Sequence, residues 1–504
     1  MKNYLPLNAP FTLLLLLLAL PISLKAEPIL SPCNPDENTR LLRIEPDSLC
    51  ARVPVPESRA NPEHRSIDLR VIVMPATGKT IEPDPIVLLA GGPGQAAAEF
   101  GPAFISRYPE LRKNRDILLI DQRGTGESNS LACQQEFEPL QNFELSGQTA
   151  TEHYINALKQ CLATLDADPT QYTTPIAMDD LEYTRQLLGY GPLNLFGISY
   201  GTRAALVYLR RHPSSVRSLI LDAVVPMDML IPEHIATDAE SAFATVIADC
   251  RAQPACDQAF PDLTSKLEAA VDLLSAKKQK ISLVHPTSGK TYQIEVDPLL
   301  INRVIRGAMY DRNLRQLLPL AIDEASKGRL QAIVTIGFLL NGANEDGKPV
   351  LSIGMQNSVL CSEDMQQVST QLDSLHFDNI LFSMLKAACQ FWPSNPVAEG
   401  FFKPIVSDTP VLLASGVLDP VTPPKYGEKA KQTLTNAIHI VVPGGAHGTT
   451  MLGCMPDLLV EFLNELNPQG LDADCAAEIR SLPFFTSNAG PFQNPAMSDE
   501  TSSD

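Results

Sequence analysis

Basic residues are scarce here relative to acids: 39 Lys and Arg stand against 58 Asp and Glu in 504 residues, a formal charge of −19. Neutralising a polyphosphate takes clustered cations, so this balance argues against nucleic acid as a partner. Acidity of this kind keeps a chain soluble and raises the local concentration of cationic solutes. Neither a CxxC pair nor an HExxH run occurs, which removes the usual spacing signatures of zinc, and nothing in the sequence asks for a cofactor or metal. Beyond residue 26 no apolar stretch reaches the length of a membrane-spanning helix, so no membrane association is expected once the leader described below is gone. Hydrophobic residues at 44% and charged residues at 19% describe an ordinary globular chain, long enough to bury a sizeable core and carry an inserted domain.

Residues 1–26 read as a signal peptide. Lys2 lies near the start, an apolar run covers 11–20, Pro21 breaks it, and Ala26 is the small residue at the expected cut. Removing the segment takes away Lys2 and Lys25 and no acid, which moves the formal charge from −19 to −21. The even number of cysteines, ten, fits the oxidising compartment such a leader implies, whether periplasm or medium. Sequence neighbours suggest Cys33 with Cys50, Cys133 with Cys161, Cys250 with Cys256, Cys361 with Cys389 and Cys454 with Cys475, a connectivity the sequence leaves open.

Strand-like and helix-like segments alternate after the leader. Residues 66–74, 85–90, 116–120, 193–196 and 218–221 have strand character, and 178–188 and 202–211 have helical spacing between them. This alternation implies a mostly parallel sheet with helices on both faces. From about 227 to 402 the pattern becomes mainly helical, as in 299–309 and 314–325, with a hairpin expected where 281–284 and 292–296 flank the turn at 287–290. Strands return at 411–415 and 438–442, followed by a helix at 458–466. The chain therefore divides into a first core part at 27–226, a cap at 227–402, a second core part at 403–486 and an acidic, flexible tail at 487–504.

The chemistry concentrates in a few loops. Gly197-Ile198-Ser199-Tyr200-Gly201 lies between a short apolar strand and a helix, the setting of a nucleophile elbow, in which a sharp turn exposes the serine. A serine hydroxyl needs a base, and His447 in the glycine-rich loop 444–448 is the best placed of eight histidines. Asp419 follows the strand at 411–415 and can hold the imidazole, in the chain order Ser, Asp, His. After the strand at 85–90, the glycines of GGPG at 91–94 let backbone amides face a substrate. The N–H groups of Gly92 and Tyr200 are the expected oxyanion hole. This loop lacks the GK[ST] ending of a phosphate loop. The charged residues of DQRGTGES at 121–128 read as structural braces beneath these loops.

Taken together, GGPG at 91–94, DQRGTGES at 121–128, GISYGTR at 197–203 and the Asp419 and His447 loops resemble the α/β-hydrolase serine peptidases of the proline iminopeptidase and tripeptidyl aminopeptidase family. VLCSED at 359–364 is similar to a segment of the tripeptidyl branch. Ala90 departs from the His usual before GGPG in proline iminopeptidases. The resemblance implies the α/β-hydrolase fold with a large, mainly helical cap inserted after the sixth core strand. It also implies cleavage of residues or short peptides from the amino terminus through an acyl-enzyme. Substrates would then be peptides with a free amino terminus, and Glu363, with Asp364 as second choice, would meet the ammonium group. Trp392, the only tryptophan, is a candidate for the apolar wall of the cap or for its core. An esterase or amidase with the same triad, and a binding protein that kept only the fold, are the competing readings.

Overall fold

Continuous apolar runs make the centre of the sheet. The computed structural model describes residues 1, 29–34, 46–133, 136–137, 147–286, 289–340, 351–368, 376–377 and 380–491. Among the described residues eleven strands form: β1 (Ser31–Pro32), β2 (Leu49–Pro56), β3 (Ser66–Met74), β4 (Ile86–Leu89), β5 (Ile117–Ile120), β6 (Leu193–Ile198), β7 (Val216–Asp222), β8 (Gln279–Val284), β9 (Thr291–Val296), β10 (Val411–Gly416) and β11 (Ala437–Val442). Nine of them form one sheet in the order β1-β2-β3-β5-β4-β6-β7-β10-β11. From β5 to β11 every neighbouring pair is parallel, and the β1, β2 and β3 edge is antiparallel.

Side chains of one strand feed both faces in turn. Val87 and Leu89 of β4 point into a core built with the Tyr200–Arg211 helix, while Ile86 and Leu88 pack on the opposite side with Phe104 and Phe462. Double coverage explains why β4, β5 and β10 are buried along their whole length. β2 was not expected as a strand. Its exposed and buried residues alternate, as an edge strand's should, and it carries Pro54 and Pro56, which weaken a strand signal.

Between β7 and β10 the chain leaves the sheet. β7 is the sixth strand if the two-residue β1 is left out. The excursion is mainly helical, and residues between 236 and 338 bury a core of their own with β9 and the helices Ile235–Ala252, Leu263–Ala276 and Pro298–Met309. The hairpin β8–β9 pairs antiparallel from Gln279 with Val296 to Val284 with Thr291, and residues 287–288 of its turn lie outside the described residues. One expected helix, 314–325, is two: Arg312–Arg315 and Leu318–Ser326. Pro319 has no N–H to offer Arg315, and its ring crowds that carbonyl, so the first helix cannot run on.

All ten cysteines are joined, as Cys33–Cys50, Cys133–Cys161, Cys250–Cys256, Cys361–Cys389 and Cys454–Cys475. Among the described residues no helix is long and apolar enough to cross a membrane. Met1 aside, the expected leader lies outside the described residues, as does the tail from 492 onward.

Candidate active site

β6 ends at Ile198 and the Tyr200–Arg211 helix begins two residues later, which leaves Ser199 alone in the turn at φ 57° and ψ −126°. Such a conformation costs a non-glycine residue roughly 1–3 kcal/mol and persists only where its surroundings enforce it. Here the Ser199 N–H donates to the Asp222 carbonyl at 2.9 Å, and strand and helix are clamped by two close approaches. A Cβ on Gly201 would stand 2.0 Å from the Leu89 carbonyl oxygen, and one on Gly197 would stand 2.5 Å from that of Gly201. Larger residues at either position would push the turn off the sheet.

Tyr200 opens the helix, where a backbone N–H has no intrahelical carbonyl to bond. Together with Gly91, Gly92, Ser199 and His447 it lines one cavity of about 1010 Å³. Gly92 and Tyr200, the residues expected to supply the oxyanion hole, thus belong to the same wall as the serine.

Asp419 sits in the loop after β10 and is buried. Its Oδ1 accepts the N–H groups of Val421 and Thr422 at 2.8 and 2.9 Å, and its Oδ2 accepts the Thr422 hydroxyl at 2.7 Å. The same Oδ2 faces His447 Nδ1 at 2.9 Å. Burial works against the charged carboxylate, but the His447 charge and these hydrogen bonds outweigh it and hold the pKa below its ordinary value. For His447 burial acts downward, and the Asp419 charge, its hydrogen bond and the Asp222 charge carry the imidazole above its ordinary value. A proton kept on Nδ1 by Asp419 leaves Nε2 free to accept one. From the inserted part, Tyr310 accepts the His447 N–H on its carbonyl at 3.2 Å and sets its ring edge-on to the imidazole, 4.9 Å between centres.

Sequence reasoning missed Asp222. This buried residue ends β7, lines the cavity, and accepts four donors: the N–H groups and hydroxyls of Thr449 and Thr450, at 2.7 to 3.1 Å. It thereby anchors the loop just past His447. An acid closing an otherwise apolar strand end, Leu219-Ile220-Leu221-Asp222, is the signal that was available.

Two expected contacts with substrate, Glu363 and Asp364, are corrected, and of the two places expected for Trp392 the structure gives the core and not the cavity wall. Glu363 is fully buried behind the cavity wall, accepting the Thr174 N–H at 2.8 Å and the Thr174 hydroxyl at 3.0 Å, and Thr174 in turn meets the Tyr200 hydroxyl at 2.6 Å. Burial, with Asp364 adding to it, pushes the Glu363 pKa up to about 7. Asp364 is equally enclosed and is held by Arg203, both oxygens 2.9 Å from Nη1, and by the Ile231 N–H at 2.8 Å. Neither acid belongs to the cavity lining, so neither presents an oxygen to an ammonium group there. Trp392 is buried in a separate cluster and donates to the Ser358 hydroxyl at 3.0 Å, and the apolar wall is made instead by residues such as Phe100, Ile235, Leu360, Leu385 and Met451.

In the DQRGTGES segment, Asp121 accepts the Ala98 N–H at 2.8 Å and the Glu127 N–H at 3.2 Å, and burial lifts its pKa to about 6. Arg123, fully buried, grips Asp180 at 2.7 and 2.9 Å. These are braces with no face toward the cavity. Among the described residues no group of three or more His, Cys, Asp and Glu is arranged to hold a metal ion.

Comparison with known proteins matches residues 84–258 to the alpha/beta hydrolase fold family and residues 374–475 to the family described as TAP-like protein. The serine protease Hip1 of Mycobacterium tuberculosis is 22% identical over 474 residues, covering 86% of this chain and 88% of the relative. A tripeptidyl aminopeptidase of Streptomyces lividans is 30% identical over 189 residues, 35% of each chain. Among solved structures, the proline iminopeptidase of Mycobacterium smegmatis aligns over 83% of this chain and 99% of its own, with 16% identity and a TM-score of 0.40.

Proposed function

This chain belongs to the α/β-hydrolase family of the tripeptidyl aminopeptidases and proline iminopeptidases, and from that premise we propose that it is an exported serine peptidase removing residues or short peptides from amino termini. The observation that carries the reading is the 2.9 Å contact of His447 Nδ1 with Asp419, on the cavity where Ser199 is exposed by its turn. In this reading Ser199 Oγ attacks the carbonyl carbon while His447 Nε2 takes its proton. The N–H groups of Gly92 and Tyr200 stabilise the oxyanion. The C–N bond then breaks, His447 returns the proton to the leaving amine, and the acyl group remains on Ser199. Water adds to the acyl-enzyme, giving its proton to His447, and Ser199 recovers a proton as the acid departs. Five disulfides with no free cysteine among the described residues, and the leader pattern at 1–26, support export.

A second reading, an esterase or amidase for small molecules, is favoured by one observation. The described carboxylates on the cavity wall are Asp222 and Asp311: Asp222 is fully engaged by Thr449 and Thr450, and Asp311 caps a turn through Oδ1 with the Arg312 charge nearby, so neither is a dedicated anchor for a substrate ammonium. Two measurements separate the readings. Fluorophosphonate labelling should mark the wild type and fail in Ser199→Ala, with kcat reduced on the order of 10⁶-fold and an unchanged circular dichroism spectrum. Peptide arylamides with free amino termini should turn over faster than their N-acetylated forms. Equal rates on both would select the esterase or amidase, and an unlabelled wild type would end the hydrolase mechanism altogether.

A further inference from the structure

Several buried arginines of this acid-rich chain sit on carboxylates: Arg115 lies 2.8 Å from Asp84, Arg123 2.7 Å from Asp180, and Arg315 2.8 Å from Asp249. The cavity wall differs. Arg306 and Arg312 line it, and among the described residues neither has a carboxylate within ion-pair distance. Arg306, on the Pro298–Met309 helix, lays its guanidinium 5.8 Å from the centre of the Tyr310 ring and brings Nη1 to 3.4 Å from the Tyr310 hydroxyl. Arg312 spends one Nη on the Arg480 carbonyl at 2.9 Å, and its buried Nε–H has no partner. Burial disfavours the Arg312 charge, against a smaller opposing pull from Asp311. Asp311 itself is engaged, capping the short turn through the N–H groups of Asn313 and Leu314 at 2.6 and 3.3 Å. Among the described residues, then, Arg306 and Arg312, like Arg107 on the same cavity, have no carboxylate at ion-pair distance, and Asp311 acts on Arg312 only as a nearby charge.

Their side of the cavity follows from the chemistry. A base that accepts the serine proton must pass it to the leaving group, so the leaving group lies against the imidazole. Tyr310 is the ring beside that imidazole, and Arg306 flanks the same ring. Arg306 thus meets the departing half of the substrate, and Arg312 lines the same cavity. Guanidinium is the side chain whose forked donors match a carboxylate, and partial exclusion of water strengthens the pairing.

We propose that Arg306 and Arg312 bind a carboxylate on the leaving group, so that the preferred substrates are short peptides whose free C-terminal carboxylate lies one or two residues beyond the scissile bond. The substrate class named here rests on the peptidase reading above, while the anion preference does not. Recognition is then by the far end of a short substrate, which accounts for an amino-end peptidase whose cavity carries Arg306 and Arg312 with no carboxylate paired to them among the described residues. It also sets a length limit, because a longer peptide carries its carboxylate past the pair.

The test uses matched tripeptides and tetrapeptides as free acids and as C-terminal amides, together with two aryl esters that differ only in a carboxylate on the phenol. For the wild type the free acid should exceed the amide by about tenfold or more in kcat/KM, mainly through KM. Arg306→Gln and Arg312→Gln should each bring that ratio toward one, and Arg306→Lys should keep part of it. A wild-type ratio near one, or a ratio that neither glutamine variant changes, overturns the proposal. If no peptide is cleaved the peptidase reading falls, and the ester pair decides the arginine site alone: preference for the carboxylated phenol that Arg306→Gln removes upholds it, and indifference overturns it.

Discussion

Asp222 and Thr450 are joined twice, the carboxylate accepting the threonine N–H at 3.0 Å and its hydroxyl at 2.7 Å. Thr449 adds its own N–H and hydroxyl, and the Asp222 carbonyl receives the Ser199 N–H. One residue at the end of β7 therefore fixes both the turn that exposes Ser199 and the loop that carries His447. Asp222→Asn turns an amide nitrogen toward donors that need an acceptor, and each buried hydrogen bond lost this way costs about 1–3 kcal/mol. We expect a lower melting temperature and a kcat reduced about 10- to 100-fold with KM little changed, the mark of a displaced base. Thermal melting and steady-state kinetics on one substrate check both.

The pH profile should report the imidazole. His447 acts as base only when neutral, and its pKa stands above the ordinary 6.5 because the Asp419 charge and hydrogen bond, with Asp222, outweigh burial. Accordingly kcat/KM falls as pH drops through a value higher than 6.5. Asp419→Asn removes the larger of the two charges, so it should shift that limb to lower pH while cutting kcat about 10⁴-fold. An acid limb that stays in place in this variant would assign it to another group.

Glu363 links stability to pH with the opposite sign from an ordinary paired acid. Its folded-state pKa of about 7 exceeds the usual 4.5, so in that window the folded chain binds more protons than the unfolded one. Its contribution is present below the lower value and is lost as pH rises through the upper one. Glu363→Gln mimics the protonated side chain and should flatten the fall in melting temperature between those two values. Melting curves across the range, on both proteins, measure it.

Gly201 leaves no room for a side chain. With the Leu89 carbonyl 2.0 Å from a Cβ, Gly201→Ala should cost about 1–3 kcal/mol or more in overpacking and pull the turn away from β4. Soluble yield and melting temperature should drop together, and fluorophosphonate labelling of Ser199 should slow. Gly191, whose Cβ position meets only the Pro83 carbonyl oxygen at 3.4 Å, is the contrasting site for a control substitution.

What the sequence revealed were features written in short, contiguous stretches. A strand, two flanking glycines and a helix define the Ser199 turn within the one stretch from Leu193 to Arg211, and the loops of Asp419 and His447 directly follow apolar strands, so burial pattern and loop position are read together. What escaped depends on which distant surfaces meet. Nothing near Glu363 in the chain announces that Thr174, 189 residues away, closes over it, nor that Arg203 takes Asp364. Trp392 packs in its own cluster with Tyr154, Ala157 and Leu158 of the helix Gly147–Thr164 and with Cys361 and Ala388, partners that lie far from it or gather around a disulfide the sequence leaves open. Asp222 escaped because an acid at a strand end has no local partner, and its four donors arrive from residues 449 and 450.

Each disulfide spans 28 residues or fewer and stays within its own neighbourhood. Apart from the main chain, then, nothing covalent fastens the roof over Ser199 to the floor beneath it. Tyr310 resting on His447, and Asp238 bonded to Lys425 and Tyr426, hold that seam by weak forces alone. Roof and floor each complete their own disulfides, and neither draws a thiol from the other.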